Sequence, residues 1–465
     1  MICYDVYTIV FKYLSFNSQW KAKRMSRLTE KCDVRNFLEA TPYITSKLNK
    51  TILSHYKNIS KLQLIDTDIK LDNIKNIETL ELINCNIISY CQLPLLENLS
   101  VVNSTHDCRD VTCLILNAPK LKVLQLTRQN IASVDCELNH LEELDIKLSI
   151  VRILVPNLVK LVIEGYYGIF DSQYVNTLNK LKYLDIRNTH KSYDVKKMTL
   201  LTTLSANKHI TFEDINSLTN LKNLDVSECE NFDVESYRNE KIEILCINGA
   251  QNFDFLINKF KNLKELSLSN VFINDKIKSI NKIEKLSLYD CVFESNQSIC
   301  FSKLKCLKLS RTVMNYNFIS NLTNLTELHF YDMNNLKKID LNCLQNLTTL
   351  YVYNTDEITD DSISKLQNIE NLIMANNESI CDISHLTRLR KLNIYGKQCI
   401  DFKNNNNLTN LTNLKYVFNM SYESVETKNQ NIIIPYYDNV DTDIGYVGKC
   451  VYNPRERLYT YYPFM

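Results

Sequence analysis

The stretch Leu181-Lys-Tyr-Leu184-Asp-Ile186 decides the fold, because its spacing, Leu-x-x-Leu-x-Leu, recurs along most of the chain. Further copies are Leu221–Val226, Leu263–Leu268 and Leu304–Leu309. Counted from the first leucine, positions 4 and 6 alternate as strand residues do, so their side chains point to one face. One unit cannot bury these side chains alone, but stacked units share a core. The pattern therefore predicts a long binding surface and no deep catalytic cleft.

Aligned on their first apolar residue, the copies number about eighteen and resemble leucine-rich repeats, which are about 20–29 residues long. We therefore expect an α/β solenoid over residues 49–420, a leucine-rich repeat horseshoe in which parallel strands form a concave sheet. Segments 215–220 and 318–324 predict short helical or 3₁₀ turns on the convex side. The units begin at residues 59, 77, 96, 121, 141, 158, 181, 201, 221, 242, 263, 283, 304, 325, 347, 369, 389 and 414.

The balance of charges argues against polyanionic partners. Lys and Arg together number 54 and Asp and Glu 53, so bulk charge favours neither nucleic acid nor an anionic membrane. No apolar run in the sequence reaches the roughly 18 residues that a membrane-spanning helix needs. The 6 glycines and the many Asn, Lys and Tyr residues resemble the usage of AT-rich genomes, so a single Asn, Lys or Tyr carries little functional information. We expect a protein partner, no nucleic acid and no membrane.

The 16 cysteines are scattered through the chain, and its first residues lack the cleavage site of a signal peptide. We therefore expect reduced thiols and a cytoplasmic protein, with the nucleus as the alternative compartment. In leucine-rich repeats, position 9 holds a side chain that bonds to turn backbone of the adjacent repeat. A small, weakly polar group suits that buried place, which predicts a structural role for the residues found there. They are Cys85, Thr189, Cys229, Cys291, Thr312, Thr355 and Asn377.

The head of the chain carries a different pattern. Val6, Val10 and Leu14 recur at helical spacing. The stretches Ile2–Val6, Val10–Leu14 and Met25–Arg27 resemble a degenerate F-box, a family whose pattern reads Leu-Pro-x-Glu-Val, Ile-Phe-x-Tyr-Leu and then Val-(Cys/Ser)-Arg. Ile2 and Cys3 replace its Leu-Pro pair. The resemblance predicts a small N-terminal helical F-box-like domain over residues 1–48, directly before the repeats.

An F-box followed by leucine-rich repeats implies a substrate-recognition adaptor of an SCF-type (Skp1–cullin–F-box) ubiquitin ligase. Apolar helix side chains would bind a groove of a Skp1-like adaptor, the cullin complex would supply the ubiquitin-charged enzyme, and the repeats would hold a protein substrate. The implied Skp1-binding residues are Ile2, Val6, Val10, Phe11 and Leu14. The alternative is a free-standing leucine-rich repeat scaffold whose first helices only cap the array.

Positions 5 and 7 of each unit point away from the predicted core, and between residues 283 and 397 they are rich in aromatic side chains. Tyrosine offers a large apolar area with a polar tip and is common in interfaces, although strands accept it readily without any partner. We predict a substrate-binding concave patch of Tyr289, Arg311, His329, Tyr331, Tyr351, Tyr353 and Tyr395, with Asp290 and Asp332 beside it. The earlier repeats predict a solvated face made of Glu142, Glu143, Asp145, Lys182, Tyr183 and Asp185.

Sequence motifs for chemistry are missing. The chain has no glycine-rich phosphate loop, no Cys-x-x-Cys pair and no histidine at zinc spacing from a cysteine. We therefore expect no enzyme, no catalytic residue, no cofactor and no metal. Residues 421–465 abandon the repeat, and we interpret them as a C-terminal cap, which an exposed terminal strand requires.

Overall fold

Parallel β-strands dominate the computed structural model of the protein, which describes residues 37–40, 60–65, 68–70, 76–89, 92–103, 108–131, 137–151, 153–165, 169–170, 175, 178–190, 192–229, 239–249, 260–273, 282–293, 301–313, 316–333, 339–400, 410–414 and 416–419. In chain order the strands are β1 Phe37–Ala40, β2 Lys61–Ile65, β3 Asp68–Lys70, β4 Thr79–Ile83, β5 Asn86–Ser89, β6 Asn98–Val102, β7 Val123–Thr127, β8 Asn130–Ile131, β9 Glu143–Lys147, β10 Ile150–Val151, β11 Lys160–Glu164, β12 Ile169–Phe170, β13 Tyr183–Asp185, β14 Thr203–Ser205, β15 Asn223–Val226, β16 Ile244–Asn248, β17 Glu265–Ser269, β18 Phe272–Ile273, β19 Lys285–Tyr289, β20 Val292–Phe293, β21 Cys306–Ser310, β22 Glu327–Tyr331, β23 Thr349–Tyr353, β24 Asn371–Asn377, β25 Lys391–Gln398 and β26 Tyr416–Asn419.

One sheet collects 19 of these strands. Each of its strands pairs in parallel with the strands of the preceding and following repeats, so that equivalent residues stand side by side. Leu184, for example, is the register partner of Leu161 on β11 and of Leu204 on β14. Strands β3, β5, β8, β10, β12, β18 and β20 form short parallel sheets along the edge where the main strands end. This arrangement confirms the predicted parallel-sheet solenoid.

The core follows the repeated phrase. In the unit that begins at Leu181, the three apolar residues Leu181, Leu184 and Ile186 have no exposed surface. Many of the strands show this alternation, as in β9 and β17, where positions 4 and 6 are buried and their neighbours half-buried. Full burial of one such side chain contributes about 2 kcal/mol, so the stacked leucines and isoleucines dominate the stability of the solenoid.

Helix makes only a small contribution to the described residues. Helix α1 spans Cys108–Leu116, α2 spans Phe212–Asn216, α3 spans Asp360–Ile363, and a 3₁₀ helix spans Tyr316–Asn321. The start of α2 is capped reciprocally, because Thr211 and Asp214 each accept a hydrogen bond from the other's backbone N–H. Helix α2 and the 3₁₀ helix each overlap one of the segments where turns are predicted, but both begin two or three residues earlier. No described helix has the length and the apolar character needed to cross a membrane.

The sheet begins earlier along the chain than the predicted domain boundary. Strand β1 pairs with β2, with Leu38 opposite Leu62, although residues 37–40 fall inside the range 1–48 that the resemblance assigns to a helical domain. Residues 1–36, which contain the F-box-like stretches, and residues 421–465, which form the predicted cap, lie outside the described residues.

Position 9 has the predicted structural role. The Cys85 thiol lies 3.3 Å from the Leu64 carbonyl oxygen of the preceding repeat, and Cys229 and Cys291 contact the carbonyl oxygens of Asn207 and Leu268 in the same way. Threonine and asparagine replace cysteine at this position, as when Thr312 donates to the Leu288 carbonyl. Burial raises the pKa of the Cys229 thiol to about 12, so this group stays protonated and packs as a small hydrogen-bond donor.

Position 8 explains how the solenoid turns with so few glycines. It holds residues with positive φ, a left-handed conformation that asparagine and aspartate tolerate better than most side chains. Side chains at this position also bond from repeat to repeat, as Asn376 donates to Asn354 and Asn354 to Asp332. The non-glycine residues with positive φ are Asn84, Asn103, Arg128, Leu148, Asn188, Asn270, Asp290, Arg311, Asp332, Asn354 and Asn376.

A second set of asparagines stands directly before the first apolar residue of a unit. Each donates its side-chain amide to a carbonyl oxygen of the preceding repeat: Asn220 to Thr199, Asn324 to Ser302, Asn346 to Thr323 and Asn368 to Gln345. These bonds satisfy turn carbonyls that have no helix or sheet partner. The asparagine-rich composition therefore has a structural use, and these residues carry more information than genome drift alone suggests.

One pair of cysteines departs from the expectation of reduced thiols. Cys381 and Cys399 form a disulfide across a separation of 18 residues, joining the turn segments that follow β24 and β25. The expectation is therefore wrong for this pair, because the solenoid places equivalent positions of neighbouring repeats within bonding reach. Cys85, Cys113, Cys229, Cys246, Cys291, Cys306 and Cys343 are not disulfide-bonded.

Candidate functional site

The register of strands β19 to β25 arranges the predicted patch in two rows on the exposed face of the main sheet. The row at position 7 reads Tyr289, Ser310, Tyr331, Tyr353, Ala375 and Tyr395. The row at position 5 reads Ser287, Lys308, His329, Tyr351, Ile373 and Asn393. Adjacent strands lie about 4.8 Å apart, so side chains of one row are in contact range of each other.

Four aromatic residues form one contiguous group, called here the aromatic cluster: His329, Tyr331, Tyr351 and Tyr353. The His329 and Tyr351 rings stack at a centroid distance of 3.9 Å with an interplanar angle of 9°. The Tyr331 and Tyr353 rings lie 6.0 Å apart at 39°. His329 Nδ1 lies 3.0 Å from Tyr331 Oη, which joins the two rows. Aromatic pairs of this kind contribute about 0.5–1.5 kcal/mol beyond their buried area.

His329 does not offer the contact surface predicted for it. Its side chain is fully buried, because Tyr351 stacks on its ring while Tyr331 and Glu327 occupy its two nitrogens. Burial lowers the pKa of this imidazole, against the opposing effect of the bond to Glu327. The three tyrosines are half-buried. They therefore form the accessible part of the cluster, and His329 supports them from beneath.

Tyr289 and Tyr395 stand at either end of the position-7 row, apart from the cluster. Ser310 separates Tyr289 from Tyr331, and Ala375, which is 1% exposed, separates Tyr395 from Tyr353. Burial and a hydrogen bond with Ser287 act in opposite directions on Tyr289, and burial dominates, so its pKa is raised. The predicted patch is thus a compact cluster flanked by two separate tyrosines.

Arg311 lies at the edge of the aromatic cluster, in the turn that follows β21. Its guanidinium donates two hydrogen bonds of 2.6 Å to the Asp290 carboxylate and lies 3.7 Å from Asp332. The bond to Asp290 raises the pKa of Arg311. The side chain remains exposed, so Arg311 is a fixed and accessible cation, held between carboxylates of the two neighbouring repeats.

A group of different chemistry lies on the side of His329 away from Tyr331. Glu327 is the register partner of Cys306, and its carboxylate bonds to His329 Nε2, which lowers the pKa of Glu327. One potential ligand atom each from Cys306, Glu327 and His329 lies within 4.8 Å of the other two. Burial raises the pKa of the Cys306 thiol to about 12. The spacing of residues along the sequence does not indicate this group, because Cys306 is one whole repeat away from the other two residues.

The exposed face of the earlier repeats is less solvated than predicted. Asp185 is 5% exposed and binds the Arg187 guanidinium at 2.9 Å, while the same guanidinium reaches Asp225 two strands away. Asp145 Oδ1 is buried without a hydrogen-bond partner. The prediction of a solvated face is therefore wrong for Asp185, and Asp145 is half-buried. The prediction missed Arg187, whose long side chain covers the acidic groups beneath it.

The implied Skp1-binding residues Ile2, Val6, Val10, Phe11 and Leu14 lie outside the described residues, so their arrangement stays a prediction.

The sequence matches no protein-family model and no curated protein. Solved leucine-rich repeat proteins share the architecture. The TLR13 chain of a TLR13–ssRNA13 complex matches with a TM-score of 0.50 at 19% identity, covering 78% of this chain and 56% of that one. An LRR protein of Leptospira interrogans matches at 18% identity over 87% and 92% of the two chains with a TM-score of 0.35. The functional domain of InlJ from Listeria monocytogenes matches at 18% over 80% and 70%, with a TM-score of 0.38. Together with the register of its strands, the TLR13 match shows that the chain has the leucine-rich repeat fold.

Proposed function

We propose that this chain is the substrate receptor of a Skp1–cullin–F-box ubiquitin ligase, and that its repeats hold a protein through the aromatic cluster. The observation that carries the binding role is the accessible group Tyr331, Tyr351 and Tyr353, held in place by His329 beneath it. Rigid aromatic side chains lose little conformational entropy on binding and are frequent at the centres of interfaces. In this role the chain supplies binding only, and no bond chemistry.

The charges around the cluster favour a protein partner over a polyanion. Lys308 and Arg311 stand beside Asp290, Glu327 and Asp332, so the cations are matched by carboxylates. A surface that bound nucleic acid through phosphates would present an excess of Lys and Arg. TLR13 is named in complex with single-stranded RNA. We expect no such binding here, and labelled single-stranded RNA serves as the negative probe in the binding assays.

The ubiquitin-ligase role rests on the F-box resemblance of the head of the chain. In this proposal Val6, Val10 and Leu14, with Ile2 and Phe11, bind the Skp1-like adaptor as an apolar helix face. The complex would act in the cytoplasm or nucleus, where cullin ligases are found. The Cys381–Cys399 pair would meet reducing conditions there, so in this proposal the receptor has to bind its substrate with this pair reduced.

A second function is favoured by one specific observation. Strand β1 begins at Phe37, inside the range 1–48 that the F-box resemblance assigns to a helical domain. A free-standing scaffold needs only a short cap before its first strand. In that case the repeats would bind a partner through the same aromatic cluster, with no adaptor and no ubiquitin transfer.

Co-purification with Skp1 separates the two functions. We expect the wild-type chain to retain purified Skp1, and the Val10→Asp, Leu14→Asp double variant to lose it, because two charges would enter an apolar interface. Lys12→Glu lies between these positions in sequence and should leave Skp1 bound. Failure of the wild-type chain to retain Skp1 would reject the ligase role and leave the scaffold.

Substrate binding through the repeats needs a separate test, in which bound partner proteins are cross-linked to the chain. Tyr331→Ala with Tyr353→Ala should release the cross-linked partner proteins but keep Skp1, because the two changes remove two of the three accessible tyrosines of the cluster and leave the head of the chain unchanged. Tyr183→Ala, on the exposed face of β13, is the matched control and should leave the partners bound. An unchanged set of partners in the double variant would mean that the repeats bind elsewhere.

A further inference from the structure

We propose that Cys306, Glu327 and His329 form a zinc-binding site on the exposed face of the solenoid. The three residues supply a thiol sulfur, a carboxylate oxygen and an imidazole nitrogen, and their ligand atoms lie within 4.8 Å of one another. Zinc bonds of about 2.0–2.3 Å place tetrahedral ligands about 3.4–3.8 Å apart. Side-chain adjustments of about an ångström therefore suffice to close the site around an ion.

The sheet itself sets the spacing of the three ligands. Cys306 on β21 and Glu327 on β22 are register partners, and His329 follows Glu327 by two residues, so all three side chains point to the same face. Ligands carried by paired strands of a continuous sheet are held more precisely than ligands on loops. The site needs no Cys-x-x-Cys spacing, because one solenoid turn brings residues 306 and 327 together.

His329 is already oriented as a metal ligand would be. Its Nδ1 is engaged by Tyr331 Oη at 3.0 Å and its ring is stacked on Tyr351, which directs Nε2 toward Glu327. A metal-binding histidine almost always uses its second nitrogen in such a bond, which sets its tautomer and ring orientation. Zinc would take the place of the proton shared between Nε2 and the Glu327 carboxylate, with Nδ1–H donating to Tyr331.

The burial and charge of the site suit a divalent ion. His329 is 0% and Cys306 4% exposed, while the Glu327 side chain is 36% exposed, so the ion is reached from the Glu327 side and keeps one position for water. A thiolate and a carboxylate neutralise Zn²⁺, and no net charge is buried. Lys308, the register partner of His329, and Lys285, the register partner of Cys306, are cations that oppose binding. This inference is independent of the ubiquitin-ligase proposal, because the purified chain alone binds the ion.

The test uses the full chain, stripped of metal and titrated with Co²⁺ and then Zn²⁺. We expect one Co²⁺ to give a thiolate-to-cobalt charge-transfer band that Zn²⁺ removes, and zinc X-ray absorption to show one sulfur among nitrogen and oxygen ligands. Cys306→Ser should abolish the band. Cys246→Ser is the matched control, because Cys246 is a half-buried thiol on the same face of the sheet, three strands away, and it should keep the band.

Two milder variants guard against loss of the fold. Glu327→Gln keeps the size of a half-exposed side chain and should weaken Zn²⁺ binding at least tenfold with an unchanged circular dichroism spectrum. Tyr331→Phe removes only the hydrogen bond to His329 Nδ1 and should weaken Zn²⁺ binding about tenfold. Tyr353→Phe should leave Zn²⁺ binding unchanged. The proposal fails if the folded wild type shows no thiolate band, if Cys306→Ser retains it, or if absorption shows two or more sulfur ligands, which would place the ion at other cysteines.

Discussion

Strands β13 and β22 occupy the same place in the repeat. Each carries a buried polar side chain at position 5, but the side chains that cover it differ in chemistry. In the repeat of β13, position 5 is Asp185 on the strand and position 7 is Arg187 in the turn that follows it. On β22, the two positions are His329 and Tyr331. In both, the position-5 side chain is buried and the position-7 side chain of its own repeat covers and bonds to it. The comparison teaches that the outward face of a solenoid strand is layered, with a polar lower layer and a half-exposed upper one.

The largest effect is expected where the upper layer neutralises a buried charge. Arg187→Ala should destabilise the solenoid by about 3 kcal/mol, because Asp185 and Asp225 would lose their cation while remaining largely buried. Urea unfolding measures this change. Lys305→Ala is the control, since Lys305 and Glu284 are both exposed and such pairs contribute less than about 1 kcal/mol. Equal losses in the two variants would mean that Asp185 is not effectively buried.

The Cys381–Cys399 disulfide stabilises two of the repeats that follow β22. Replacing both Cys381 and Cys399 by serine should cost about 2–3 kcal/mol, because the disulfide closes a short loop in the unfolded chain. Hydrogen exchange should quicken in β24 and β25 and stay unchanged in β13. Cys343→Ser removes an exposed cysteine that is not disulfide-bonded and should have no effect. A loss spread evenly over the whole solenoid would contradict a local tie.

The covering side chain should contribute less to the free energy of unfolding on β22, where it is Tyr331, than in the repeat of β13, where it is Arg187. Tyr331→Ala should cost about 1 kcal/mol, because it removes a half-exposed ring from the contact with Tyr353 and leaves His329 neutral. The matched measurement is the Arg187→Ala unfolding curve recorded at the same pH. If Tyr331→Ala is as costly as Arg187→Ala, packing rather than charge neutralisation dominates in both layers.

The smallest expected effect is a gain. Asp145→Asn should stabilise the chain by about 1 kcal/mol at pH 7, since Asp145 Oδ1 is buried without a donor. Burial raises the pKa of Asp145 above its usual 3.8. The protonated side chain therefore makes its full contribution to stability below pH 3.8, and this contribution is lost as the pH rises through the raised pKa of Asp145 in the folded chain. The stability gained by Asp145→Asn should therefore vanish below pH 3.8, whereas Glu143→Gln should give no gain that depends on pH in this way.

The sequence was sufficient to predict everything that one repeat determines by itself. Leu181, Leu184 and Ile186 are buried as their spacing predicts, and Cys85, Cys291 and Thr312 at position 9 bond to backbone carbonyl oxygens of the preceding repeat, although these acceptors lie on strands and not in turns. These outcomes depend on period and residue size, which are both written in the chain.

What the sequence could not show depends on pairs of repeats. The burial of His329 requires Tyr351 from the next repeat, the approach of Cys306 to Glu327 requires the register of β21 and β22, and the disulfide joins segments after β24 and β25. Intervals between units vary, so the residue that stands beside another across the sheet follows only from the paired strands. Position within a repeat is local information, whereas surface chemistry here is shared between neighbours.

The pairing of each main strand with its sequence neighbours has a consequence for how the chain folds. Every sheet contact closes a loop of about one repeat, and low contact order of this kind favours rapid folding. A few adjacent repeats suffice as a nucleus, and growth proceeds outward by adding one strand at a time. The chain can therefore begin to fold while its later repeats are still being synthesised.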